Sequence, residues 1–426
     1  MSASEQLLIG QTLSLTGPDP ETARHDSRGG VLIADGAIAA VGHGDDLRQA
    51  HPEATVTDYG DHLILPGFID AHVHYPQTAI IASWGKQLID WLNTYTFPEE
   101  ARFNDPAYAT EIAERFFDLS LGAGTTTVAS YCTSHPESAD AFFTEAEQRR
   151  VRAIAGKTCM DRNAPDALCD TATRAYDESK ALIDRWHGQA RLGYAITPRF
   201  TPTSTPEQVK ALGALWAERP DCLMQTHLSE QIDEIAWVRD LCPEARDYLD
   251  TYEAAGLLGE RAVFGHAIHL TRREQDRLAE VGAALAHCPT SNTFIGSGLF
   301  DMTLAENMPV GLATDTGGGS SFSMLRTMAA AYEIAQLRGN ALHPAHLLWL
   351  ATGASAQALR LEHHIGKLAQ GMEADLVILD LASTPAIAQR SARANDIWEA
   401  VFPTIMMGDD RAIHDVRIAG RSIHAC

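Results

Sequence analysis

Two kinds of hydrophobic pattern divide the chain. Near its start, apolar positions run through Leu7–Leu15 and Gly30–Val41, and the second run is interrupted by Asp35-Gly36. An Asp-Gly pair between apolar runs predicts a hairpin, because Gly admits positive φ. Val56–Leu65 continues the β character, so residues 1–65 read as a small β unit. From Phe68 the rhythm changes. Short apolar runs at Phe68–His74, Thr125–Ser130, Val151–Lys157, Arg191–Thr197, Cys222–Leu228, Ala262–Ala267, Ala283–Pro289 and Val310–Asp315 alternate with helix-like stretches. Thr205-Pro206-Glu207-Gln208 and Thr271-Arg272-Arg273-Glu274 are capping boxes that start two of these helices. The link between the seventh and eighth runs is too short to promise one.

Eight such alternations predict a parallel (β/α)8 barrel. A doubly wound open sheet is the structural alternative, but no G-x-G-x-x-G follows the first run. After Asp315, Met324–Leu337 and His346–Leu361 read as helices. Gly371–Leu381 and Ala400–His424 then read as β again, with a turn at Gly408-Asp409-Asp410. The expected architecture is an α/β chain. Residues 66–369 form the barrel, and residues 1–65 and 370–426 pack together as one small β-sandwich domain.

Polar groups enter the first barrel run at Asp70, His72 and His74, on alternate positions that share one face of a strand. Two imidazoles at i and i+2 suit zinc. Barrel enzymes build their sites at the C-terminal ends of the strands, and further candidates fall there. His227 ends the fifth run, His266 the sixth and Asp315 the eighth. Glu230 lies three residues past His227, where a carboxylate that is not itself a ligand can carry protons. Its structural alternative is a solvated charge at a helix start, stabilised by the helix dipole. Asp315 closes an apolar strand, where an unpaired acid is costly to bury. The glycines after it let the backbone turn beside a ligand. That stretch has no G-K-[ST] and no basic residue, which argues against a phosphate loop. Lys157, ending the third run, reads as half of an ion pair rather than a carbamylated metal bridge. His287, His269, His363, His364 and Cys288 read as structural. In the first long loop, Trp84 and Leu88 are candidates for a hydrophobic wall and lid, or for simple packing of that loop.

The net charge of −23 over 426 residues argues against nucleic acid or anionic membranes as partners. Seven scattered Cys without a C-x-x-C read as reduced thiols in a cytoplasmic protein. No signal peptide is visible at the N-terminus, and no apolar run approaches the ~18–20 residues of a bilayer span.

Pro66-Gly67-Phe68-Ile69-Asp70-Ala71-His72-Val73-His74, with His227, His266 and Asp315, resembles the amidohydrolase superfamily. Its guanine deaminase branch is suggested by His74-Tyr75-Pro76-Gln77, by Trp91-Leu92-Asn93-Thr94-Tyr95-Thr96-Phe97-Pro98-Glu99 and by Thr197-Pro198-Arg199-Phe200. His227-Leu228-Ser229-Glu230, Met160–Pro165, Cys288–Asn292, Gly296-Ser297-Gly298 and Thr314–Gly319 also fit. The resemblance covers nearly the whole chain. Gln231-Ile232 departs from it, since Asn more often follows the Glu.

The resemblance implies a zinc-dependent hydrolase that converts guanine and water to xanthine and ammonia, working as a homodimer. It places one Zn2+ per subunit on His72, His74, His227 and Asp315, donors that Fe2+ also suits. It makes Glu230 a proton shuttle and His266 the group that orients the water. Gln77 and Arg199 would read the purine edge, and Phe200 would stack on the ring. Two rivals share parts of this pattern. One is a deaminase of another aminated heterocycle, such as a modified guanine, another purine, a pterin or a triazine. The other is a non-catalytic barrel scaffold.

Overall fold

The computed structural model describes residues 5–85 and 87–425. Eight parallel strands form a nearly closed barrel in chain order. They are Phe68–His74, Thr125–Tyr131, Arg152–Gly156, Leu192–Pro198, Leu223–Leu228, Ala262–His266, Ala284–His287 and Val310–Leu312. Each falls within or one residue beyond an apolar run of the sequence. Every residue of Phe68–His74 is buried, as expected for a parallel strand covered on both faces. Where the first and eighth strands meet at their C-terminal ends, the backbone N–H of His74 donates to Thr316 O at 2.7 Å. That of Asp315 donates to His72 O at 2.9 Å. These bonds tie the ends of two segments far apart in sequence, and they do so at the predicted ligands.

A second sheet is mixed and seven-stranded. In spatial order its strands are Arg421–Ala425, Ile413–Ile418, Leu376–Leu379, Thr55–Pro66, Gln6–Leu15, Ala23–Ala34 and Ala37–His43. The two termini join where Leu376–Leu379 runs antiparallel to Leu63–Pro66. Leu8, Val31, Ile33, Ile64, Leu376 and Ile378 supply its core. The expected hairpin is present, with Ala34 opposite Ala37. Asp35 and Gly36 both lie at positive φ (51° and 80°), the two-residue turn that matches strand twist.

The chain divides into two compact units. One comprises Met1–Asp70, Asp118–Thr127 and Phe322–Cys426; the other comprises Ala71–Phe117 and Val128–Ser321. All the candidate site residues from His72 to Asp315 belong to the second. Among the described residues no helix is long and apolar enough to cross a membrane, and the six described cysteines form no disulfide.

Three local readings change. Ala400–Met407 is the body of a helix, Ile397–Met407, not a strand. Its β-branched and aromatic residues read as β. However, Asp396 caps it by accepting from the Glu399 N–H at 2.9 Å, and Val401, Thr404 and Ile405 are buried at helical spacing. Gly44–Ala50 is a short helix inside the N-terminal β region. The link between the seventh and eighth barrel strands does hold a helix, Pro289–Phe294, entered through Pro289 at its first turn.

Candidate active site

Four histidines and an aspartate converge at the C-terminal ends of the first, fifth, sixth and eighth strands. Nitrogens of His72, His74 and His227 all lie within 4.8 Å of one another. One carboxylate oxygen of Asp315 faces His74 Nε2 at 3.4 Å and His72 Nε2 at 3.5 Å. The other faces His266 Nε2 at 3.7 Å. Parallel register sets this arrangement. His227 lies opposite Gly265, and Leu228 opposite His266. Gly265 leaves room for the His72 ring, since a Cβ there would fall 2.6 Å from His72 Cε1. Past the strands the backbone is strained. Ser229, His266, Ala267 and Asp315 all adopt left-handed φ between 49° and 66°, a conformation costing on the order of 1–3 kcal/mol each and concentrated at functional sites.

The donor set fits a divalent cation. His227 Nδ1 lies 2.7 Å from the Arg199 carbonyl oxygen. A carbonyl only accepts, so Nδ1 carries the hydrogen and Nε2 keeps its lone pair, facing His74 Nε2 at 3.2 Å. Burial holds His72, His74 and His227 below the usual histidine range, hence neutral. Burial also pushes the Asp315 carboxyl up. Bonding to His72 and the nearby charge of His266 outweigh that, and Asp315 sits well below the usual carboxylate range. Three neutral imidazoles and an ionised carboxylate are a zinc-type donor set.

Glu230 and His266 form the second half of the site. Both are buried, with Glu230 Oε2 3.5 Å from His266 Nε2. Glu230 Oε1 accepts from Ser297 Oγ at 2.7 Å. Burial pushes Glu230 up to about 7, against the pull of His266 and with help from Glu234 and Asp315. A carboxyl there can take and give a proton near neutral pH. Burial disfavours charge on His266, but Glu230 and Asp315 raise it overall. Its Nδ1 is held at 2.8 Å by Asn292 Oδ1. Gln231 does not disturb the donors. It caps the next helix and donates from Nε2 to Ile295 O at 3.1 Å and Ser297 Oγ at 3.3 Å, steadying the segment that holds Glu230.

His74, His227, Glu230, His266 and Asp315 share one cleft with Gln77, Leu88, Trp91, Leu92, Arg199, Phe200, Ile295 and Gly318. Arg199 and Phe200 follow the fourth strand and are both buried. Arg199 is therefore no surface salt bridge; its Nη1 donates to Glu100 Oε2 at 2.7 Å. Gln77 Nε2 donates to the other oxygen of Glu100 at 3.0 Å. Phe200 packs with Leu92, Phe97, Met160 and Leu168 while also lining the cleft. Leu88 takes the expected place on the wall. Trp84 does not line the cleft and is 73% exposed; Trp91 lines it instead.

Lys157 is the ion-pair lysine expected. It is fully buried, bonded to Asp170 and 3.3 Å from Glu178. His287 stacks on Phe300 with ring centres 4.4 Å apart. Burial pushes it down to about 3, so it is a neutral core residue. Sequence reasoning missed Glu100, Trp91, Asn292 and Ser297. Trp91, Asn292 and Ser297 stand in motifs singled out for resemblance but without a role. Glu100 carried only the signal of an acid next to Glu99 on a four-residue helix.

A cluster of histidines and an aspartate at these strand ends, with an acid beside them, defines a hydrolase of the metal-dependent barrel type. The amidohydrolase family model matches residues 63–423, and the chain belongs to that family. A short match to an imidazolonepropionase-like composite domain of bacteria covers residues 29–54. Within the family its similarity is to guanine deaminases. It is 43% identical to the guanine deaminase of Escherichia coli over 92% of this chain and 90% of that protein. The solved structure of E. coli guanine deaminase superposes with a TM-score of 0.96 at 41% identity, covering 99% of both chains. Guanine deaminase from C. acetobutylicum, solved with guanine in its active site, gives 0.91 at 27% identity, over 99% of this chain and 100% of that one.

Proposed function

We propose that this protein hydrolyses guanine to xanthine and ammonia, with one zinc ion held by His72, His74, His227 and Asp315. The observation that carries the reading is the single cleft that joins His74, His227, Asp315 and Glu230 to Gln77, Arg199 and Phe200. An amide, a planar cation and an aromatic are what a neutral, planar, hydrogen-bonding heterocycle wants. The kinship with guanine deaminases supports guanine as that heterocycle. The reading includes a homodimer, as the sequence resemblance implies, and described cysteines that form no disulfide suit a cytoplasmic setting.

Zinc, when bound, supplies Lewis acidity that lowers the pKa of water from 15.7 toward about 7. The chain's own residues do the rest. Asp315 and Glu230 accept protons from the attacking water. His266, held by Asn292, hydrogen-bonds the attacking oxygen and stabilises the charge that develops on it. Glu230 passes the proton it took to a ring nitrogen, and the proton taken by Asp315 returns through Glu230 to the departing amine, so that guanine and water leave as xanthine and ammonia. Ser297 keeps Glu230 aimed through these transfers. Phe200 and Arg199 hold the ring against the donor cluster.

The direct test supplies zinc-replete protein with guanine, and in parallel with adenine, cytosine and ammeline, and measures xanthine and ammonia. Equal amounts of both products from guanine alone support the reading. Turnover of another heterocycle without guanine would keep the metal chemistry and overturn the specificity. Metal analysis should find about one zinc per chain, and chelation should abolish turnover until zinc is returned. Less than about half an equivalent after zinc-replete purification would favour the scaffold reading.

Gly265→Ala tests the donor geometry. The added methyl would overlap the His72 ring, so metal affinity should fall about 10–100-fold while the fold survives. Unchanged zinc affinity by competition with a chelator would show that His72 does not need its present position.

A further inference from the structure

Glu100 sits between the two polar groups assigned to the purine edge. It is 1% exposed, on a short helix far in sequence from Arg199. One of its oxygens accepts from Arg199 Nη1 at 2.7 Å and the other from Gln77 Nε2 at 3.0 Å. The guanidinium is also over the Phe97 ring, 5.5 Å from its centroid. Two consequences follow from donor and acceptor chemistry alone. A carboxylate oxygen accepts, so the Gln77 NH2 must face Glu100, and the carbonyl Oε1 is left as the acceptor that Gln77 offers to the cleft. Arg199 can only donate, and Glu100 engages one end of its fork while the rest remains for a ligand. The cleft therefore presents an acceptor and donors in one set order.

We propose that Glu100 is a positioning residue that sets this order, and through it selects 2-aminopurines carrying a ring carbonyl over those carrying an amine there. The proposal rests on guanine as the substrate. A lactam edge, N–H beside C=O, complements an acceptor beside donors. An amine in place of the carbonyl meets the donors of Arg199 with another donor, leaving buried polar groups unpaired. Without Glu100 the Gln77 amide is free to present either end, and Arg199 loses its buried counter-charge.

The experiment compares guanine with 2,6-diaminopurine, which keeps the 2-amino group but carries an amine where guanine has its carbonyl, in wild type and Glu100→Gln. At position 100 an amide can accept from one neighbour but turns its own NH2 on the other. In Glu100→Gln the KM for guanine should rise about tenfold or more, with kcat within a few-fold. The guanine to 2,6-diaminopurine ratio of kcat/KM should fall about tenfold, with zinc content unchanged. A general structural defect would lower both substrates together, so an unchanged ratio overturns the proposal. If Glu100→Gln does not fold, Glu100→Asp replaces it, with a smaller shift in the same direction expected and an unchanged ratio equally fatal. If the wild type fails to turn over guanine, the functional reading falls. Calorimetric binding of the two purines to both proteins then decides the role of Glu100, and equal preference in the two proteins overturns it.

Discussion

Glu230→Gln should lower kcat for guanine by roughly 10²–10⁴-fold while the protein still binds zinc and guanine. On the proposed mechanism the substitution removes the proton-carrying oxygen and little else. An amide oxygen at Oε1 still accepts from Ser297, and the backbone that carries residue 230 is held by Glu234, which accepts from the N–H of Glu230 at 2.8 Å and of Gln231 at 3.0 Å. Glu234 is itself fastened by Tyr248 at 2.8 Å. The variant therefore separates chemistry from binding. Steady-state turnover, metal analysis and guanine binding measured together read it out. Activity within tenfold of wild type would remove Glu230 from the proton path; lost zinc would make it part of the donor set instead.

Asp315→Asn should cost more than one function. Asp315 faces His72, His74 and His266 at once, so a neutral amide removes a charged donor and one of the three carboxylates that keep His266 raised. Loss of several kcal/mol of transition-state stabilisation corresponds to a fall in kcat/KM of about 10³-fold, together with weaker zinc retention. Titrating zinc back into the variant divides the two effects. Excess zinc should restore occupancy but not kcat, because the proton-accepting carboxylate is still missing. Full recovery of kcat with zinc would confine Asp315 to holding the ion.

The barrel was legible because each strand is a short apolar run of its own, and because helix starts such as Thr271 with Glu274 carry local signals that the structure repeats as a reciprocal cap. The Asp35-Gly36 hairpin was legible for the same reason: the turn needs positive φ, and the residues that tolerate it are adjacent in sequence. The helix Ile397–Met407 was not, since its residues favour a strand locally and packing overrode that preference. The same division runs through the site. His72 and His74, two apart on one strand, had to share a face, and His227, His266 and Asp315 stood out as polar ends of apolar runs.

By itself, then, the sequence determined the kind of barrel, the strand ends at which His72, His74, His227, His266 and Asp315 meet, and Glu230 as the acid beside them. These depend on periodicity and on residue type, which are local. Only the tertiary structure decided how polar groups pair across the cleft. It gave Glu100 to both Gln77 and Arg199, Asn292 to His266 and Ser297 to Glu230. It also turned Trp84 outward and put Trp91 on the wall. Those partnerships join loops tens to about a hundred residues apart. A hydrogen bond between such loops is set by where the barrel brings the backbone, and no period or spacing along the chain records it.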